Sequence, residues 1–164
     1  MAIELQKEVV ELLQDSETVK VLATVDEKGF PHAVIKQSFE LGEDGNLVHL
    51  ELFESSRSNK NLVRGIWHNR KVSVTLKGKG DLSYQIKGRP IKSIIAGPVF
   101  NEHYLRVRER LGDVGLAAVW IIEPEEVINE SFSARLAEEQ AAQVFCGHLD
   151  RIAQLSGARP ETRQ

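Results

Sequence analysis

Three short glycine-bearing turns, Asp26-Glu27-Lys28-Gly29, Glu43-Asp44-Gly45 and Gly78-Lys79-Gly80-Asp81, each separate two stretches in which polarity alternates residue by residue. Alternation on both sides of a tight turn marks an antiparallel hairpin. Before the first turn Val19, Val21, Ala23 and Val25 alternate with Lys20, Leu22 and Thr24, and after it Pro31 to Phe39 alternates again. Asn46 to Leu52 follows the second turn with Val48, Leu50 and Leu52 on one face, so the first three strands read as an antiparallel meander. Val72, Val74 and Leu76, then Leu82, Tyr84 and Ile86 in a strand running to about Ile95, flank the third turn. Leu116 to Ile122 supplies a sixth, strongly apolar strand.

Helical spacing appears between these runs. Leu5, Val9, Leu12 and Leu13 predict a surface helix over about Glu4 to Leu13, and Leu62, Val63, Ile66 and Trp67 predict the buried side of a helix from Asn59 to His68. Phe100, Tyr104, Val107 and Leu111 predict a third helix, ended by Gly112, and apolar spacing from Leu136 to Leu155 predicts a long terminal one. The fold class is therefore α+β: a six-stranded antiparallel β-barrel with flanking helices and a C-terminal helix. A small barrel is preferred to an open sheet because closure removes exposed edges. Residues 1–130 form the barrel domain, and 131–164 a helical extension packed on the barrel or on a second subunit.

Charge is segregated. Ten of the twenty-one Lys and Arg residues fall between Arg57 and Lys92 with Asp81 as the single acid there, a +9 segment in a −12 background. An anionic ligand is the expectation. The segment opens with Ser55-Ser56-Arg57-Ser58-Asn59-Lys60, hydroxyls and cations at the start of a helix. The first amides of a helix lack intrahelical partners and carry the positive end of its dipole, so a phosphate there gains hydrogen bonds and charge stabilisation together. The bland alternative is that Ser58 caps the helix and the cations are solvated. The basic run holds one ring between Trp67 and Phe100, Tyr84, too few stacking partners for a nucleic-acid surface.

Other residues carry less. Cys146 and His148 point apart on a helix with no further ligand nearby, and His32, His49, His68 and His103 have no metal-ligand spacing, so no metal site is expected. Trp67 and Trp120 read as core. One cysteine suggests a reducing, cytoplasmic setting, and the charged first twenty residues resemble neither a signal peptide nor a membrane span.

Several motifs in order resemble the pyridoxamine 5′-phosphate oxidase-like FMN-binding split barrels: Ala23-Thr24-Val25-Asp26 with Gly29 and Pro31, Asp44-Gly45-Asn46-Leu47, Ser58 with Lys60 and Leu62, Asn69-Arg70-Lys71-Val72, and Gly88. The resemblance covers Val19 to Leu76 and, more loosely, Leu5 to Asn129. It implies a homodimer with FMN at each subunit boundary and flavin-dependent oxidoreduction of a small molecule with a donor such as a reduced nicotinamide; from the residues themselves, no nucleic-acid or membrane partner is expected. It implies that Lys60 and Ser58 hold the flavin phosphate, with Arg57, Ser56 and Asn61 secondary, and that Ile35, Lys36 and Gln37 line the ring. Two positions depart from the family pattern: Val34 stands where phosphate oxidases place an Arg, and Glu54 where a threonine is usual. The substrate-recognising Arg and His motifs of the true phosphate oxidases have no counterpart around Arg135, His148 and Arg151, and no residue is assigned as catalytic. The alternative function is a non-enzymatic barrel that binds flavin, haem or another anionic ligand for storage or sensing.

Overall fold

The structure is a computed structural model and describes residues 3–142. In chain order it contains α1 (Lys7–Gln14), β1 (Val19–Val25), β2 (Pro31–Ile35), β3 (Phe39–Leu41), β4 (Leu47–Glu51), α2 (Arg57–His68), β5 (Val72–Lys77), β6 (Ser83–Ile94), α3 (Pro98–Leu111), β7 (Ala118–Asn129) and α4 (Phe132–Ala142). The strands form one antiparallel sheet in the order β2-β1-β5-β6-β7-β4-β3.

β2 and β3 are consecutive in the chain and lie at opposite ends of that order. The three residues between them join the two edges and curl the sheet. Lys36 N donates to Lys20 O at 2.8 Å on the β1 side, and Ser38 O accepts from Leu50 N at 3.2 Å on the β4 side. Gln37, between them, accepts from Lys20 N at 2.9 Å and donates to Thr18 O at 3.0 Å. The expected single strand from Pro31 to Phe39 is thus a bent run whose halves pair with different partners. Counted as one it gives the six strands of the sequence pattern; counted as two it gives seven, and the meander is divided between the two edges.

The enclosed core contains Leu22, Leu47, Val74, Leu76, Ile86, Trp120 and Ile122, with Val9, Leu12 and Leu13 of α1 packed against it. A second cluster lies on the other side of β4 and β7, where Val48, Leu50 and Val119 meet Val107 of α3 and Leu116. All five residues of β4 are consequently buried. In β1 the inward set is Lys20, Leu22 and Thr24, while Val19 faces outward.

α2 begins earlier than its apolar spacing indicates, because Ser56, not Ser58, is its N-cap: Ser56 Oγ accepts from Asn59 N at 3.0 Å. Its buried face is Ser58, Asn61, Leu62 and Gly65, whereas Val63, Ile66 and Trp67 are exposed, Trp67 at 79%. The expected apolar face and the core placement of Trp67 are therefore corrected. A Cβ on Gly65 would stand 2.7 Å from Pro90 Cγ, so the helix meets the sheet by its small and polar side. Asn69, left-handed at φ 49°, ends it.

β7 continues through Asn129, past the expected end at Ile122. α4 then starts at Phe132, inside the stretch that alternation and helical spacing leave irregular, because Asp81 of the β5–β6 turn caps it from a distance: its carboxylate accepts Phe132 N at 2.8 Å and Ser133 N at 2.9 Å. None of the described α4 residues is buried. Cys146, His148, Arg151 and the rest of the expected helix to Leu155 lie outside the described residues. No helix among the described residues is long and apolar enough to cross a membrane.

Candidate functional site

The turn from β4 into α2 carries the predicted phosphate ligands, and the structure divides them. Ser58 is buried in the first turn of α2, Ser56 is occupied as the cap, and Asn61 Nδ2 donates to Thr24 Oγ1 at 2.9 Å, tying the helix to β1. These three hold the helix in place. Arg57 and Lys60 are exposed and make no ion pair among the described residues. The Arg57 and Ser58 amides, at the helix start, have no backbone acceptor there either.

This pair of free cations contrasts with the rest of the basic segment. Arg64 meets Glu27, Lys79 meets Glu17, Lys71 meets Glu125, Lys87 meets Glu126, and Arg89 meets Glu123. Five of the ten basic residues are thus paired with acids on neighbouring elements, three of them with acids on β7, and Arg70 and Lys77 are held by backbone carbonyls. Of the cations without an acidic partner among the described residues, Lys60 lines a cavity, and Arg57 shares its helical turn.

Beside that turn a cavity of about 500 Å³ is lined by Leu52, Phe53, Glu54, Ser55 and Lys60. A larger one, about 860 Å³, shares Leu52 and Phe53 with it and reaches between the β2–β3 bend and α3. Ile35, Lys36 and Gln37 all line the larger cavity, so the residues expected at the flavin ring come together in one place. Ile35 and Phe53 are 62% and 63% exposed at its mouth. Gln37 is held by its bonds to β1, and Arg106 and Arg110 of α3 form the opposite wall.

Lys36 is not a free cation. Its Nζ lies 2.9 Å from both oxygens of Glu51, a residue with no exposed surface. Burial works to raise the Glu51 pKa, and the Lys36 ammonium and the Phe53 amide work against it, holding the carboxyl below the ordinary carboxylate range. The Lys36 contacts are full hydrogen bonds, whereas His49 Nε2 stands 3.6 Å from Glu51 Oε2. His49 is fully buried, and burial pushes its imidazole below the ordinary value against the pull of Glu51. Glu51 and the α3 arginines carry no motif in the sequence, and His49 stands there only as one of four scattered histidines. Their signal was present in β4, where His49 and Glu51 alternate with apolar residues on the face that Leu47 shares.

No protein-family model matches the sequence, and a search of curated proteins gives no match. Solved structures do match by fold. The chain is similar to HupZ from Group A Streptococcus, with 22% identity over 78% of this chain and 95% of that one at a TM-score of 0.65. It is similar to an FMN-binding protein from Syntrophomonas wolfei, with 13% identity over 77% of this chain and 88% of that one at 0.62. A putative pyridoxamine 5′-phosphate oxidase from Lactobacillus delbrueckii matches with 20% identity over 76% of this chain and 93% of that one at 0.56. The curled antiparallel sheet with its flanking helices is the split barrel of the pyridoxamine 5′-phosphate oxidase-like proteins.

Proposed function

We propose that this protein binds FMN in the groove between the β2–β3 bend and the α2 turn, at the boundary of two copies of the chain, and acts as a flavin-dependent oxidoreductase. The observation that carries this reading is a pair of adjoining cavities that share Leu52 and Phe53 and differ in chemistry. Lys60 lines one, with Arg57 and two unpartnered amides beside it; Ile35, Lys36 and Gln37 line the other. A phosphate suits the first and a flat ring the second. Lys60 and Arg57 would supply charge to the phosphate, Ser55 a hydroxyl, and Ile35 an apolar contact to the ring. Ser58, Ser56 and Asn61 act indirectly by fixing the helix. Ile35 and Phe53, exposed at the mouth, are suited to cover by a second subunit.

A bound flavin supplies the electron transfer, with the chain providing orientation and local charge. A titration of the purified protein with FMN, followed by absorbance and by quenching of flavin fluorescence, tests the reading. Saturable binding of one FMN per chain, bleached by a reduced nicotinamide, is the expected result, and a protein that ignores FMN overturns it. The second reading, a non-enzymatic ligand carrier, is favoured by one observation: the acids and lysines lining the larger cavity are already engaged, Lys36 with Glu51, Glu40 with Arg106 and Lys20 with the Asp15 carbonyl. It predicts bound ligand without turnover. A Soret band in the purified protein would identify that ligand as haem.

A further inference from the structure

The wall of the larger cavity at the β2–β3 bend carries a chain of polar groups, Lys36, Glu51, His49 and Ser38, whose mutual contacts the flavin reading leaves unexplained. Ser38 fixes its protonation. The Ser38 hydroxyl lies 2.7 Å from Leu50 O, which can only accept, so its one hydrogen goes there. The same oxygen is 3.2 Å from His49 Nδ1 and must accept from it, which places the imidazole proton on Nδ1. Neutral His49 then turns a bare lone pair on Nε2 toward Glu51 Oε2, 3.6 Å away, and this nitrogen makes no hydrogen bond.

Two buried acceptors thus face each other. Lys36 makes this tolerable by cancelling the Glu51 charge through two hydrogen bonds. The other neighbours of the ring are uncharged: Phe39 of β3 stacks on it with centroids 4.7 Å apart, and Trp120 of β7 stands opposite it in the ladder. Glu51 and Lys36 are the charged groups that act on His49. Without Lys36, Glu51 would be a buried carboxylate held by the Phe53 amide alone, and a proton on His49 Nε2 would supply both the missing donor and the missing charge.

Lys36 lines the cavity with 17% of its side chain exposed, among Ile35, Phe39, Leu50 and Phe53. We propose that this cavity takes a small organic carboxylate with an apolar body, that Lys36 turns from Glu51 to bind it, and that His49 takes up one proton from solvent as it does so. The exchange conserves charge: Lys36 pairs with the ligand, and protonated His49 pairs with Glu51. It uses the same cavity as the flavin reading but does not rest on it, and its test is made without added flavin.

The test is the ¹⁵N spectrum of the His49 ring in the full chain as purified, with benzoate as the probe ligand. Between pH 6 and 8 the wild-type ring is expected as the neutral Nδ1–H tautomer. Lys36→Met should protonate it at pH 7, and Lys36→Arg should restore the neutral form. Should Lys36→Met not fold, Lys36→Gln removes the same charge and should give the same signal. Benzoate binding measured calorimetrically at pH 7, in two buffers of different ionisation heat, should show uptake approaching one proton per ligand, abolished in His49→Gln, and benzyl alcohol should bind without uptake. A neutral His49 in the folded Lys36 variants, an Nε2–H tautomer in the wild type, benzoate binding without proton uptake, or no benzoate binding at millimolar concentration each overturns the proposal.

Discussion

Trp120 Nε1 donates to Asn59 Oδ1 at 2.9 Å, so a core residue of β7 is tied directly to the first turn of α2. Asn59 also donates from Nδ2 to Glu54 O at 3.0 Å, holding the turn between β4 and the helix. The charged end of the groove is therefore anchored to the barrel interior through Asn59, as the next turn of the helix is through Asn61 and Thr24. Asn59→Ala leaves the buried indole N–H without an acceptor and should cost about 1–3 kcal/mol in urea unfolding. It should also weaken FMN binding, because the turn that presents Lys60 loses two of its ties.

Glu54 lines the smaller cavity beside Lys60, and no salt bridge occupies it among the described residues. Its carboxylate repels a phosphate by about 1 kcal/mol at 4 Å in a water-like dielectric. Glu54→Gln should tighten FMN by up to about fivefold at low salt on that estimate, with the gain shrinking as ionic strength rises. Titrations of both proteins at two salt concentrations read the difference.

Gly88 pairs with Pro124 of β7 beside a register shift, and a Cβ there would stand 2.3 Å from Glu123 O. The obstacle is backbone, which cannot rotate away. Gly88→Ala should destabilise the protein by more than about 2 kcal/mol, visible as a lowered urea midpoint.

Acid should unfold this protein in two stages. His49 is held below the ordinary histidine value in the folded state, so as pH falls below about 6.5 the unfolded chain binds the proton first and stability declines. Glu51, lowered to about 2, contributes stability that is complete above about 4.5 and is lost as pH falls from there toward 2. Urea midpoints from pH 8 to 3 should show both stages in the wild type and lose the first in His49→Gln.

Much of the architecture was legible because it is written locally. The three glycine-bearing turns, the first and last hairpins and the helices at α1, α2 and α3 follow from alternation, spacing and turn chemistry within a few residues. What escaped depends on residues far apart in sequence. Lys36, Gln37 and Ser38 continue the alternation of β2 while changing partner strands, and only the closed sheet reveals the bend. Asp81 caps α4 from the β5–β6 turn, so no local signal marks Phe132 as a helix start. The +9 segment read as an anion site because its neutralising acids, Glu123, Glu125 and Glu126, lie on another strand. On the candidate site, the cluster from Ser55 to Lys60 marked the right turn, but Ser58 and Asn61 face the core. Glu51 and His49 were hidden because their alternation with Val48, Leu50 and Leu52 reads as a solvent-facing side, whereas the strand is buried on both faces.

Parallel titrations of FMN and riboflavin against wild type and Lys60→Ala test most directly the proposed contact of the FMN phosphate with Lys60 at the start of α2. The wild type should prefer FMN, and Lys60→Ala should lose about 1.5–3 kcal/mol of FMN affinity while riboflavin affinity is unchanged. Equal affinities of the wild type for FMN and riboflavin, or an FMN affinity untouched by Lys60→Ala, would contradict the account.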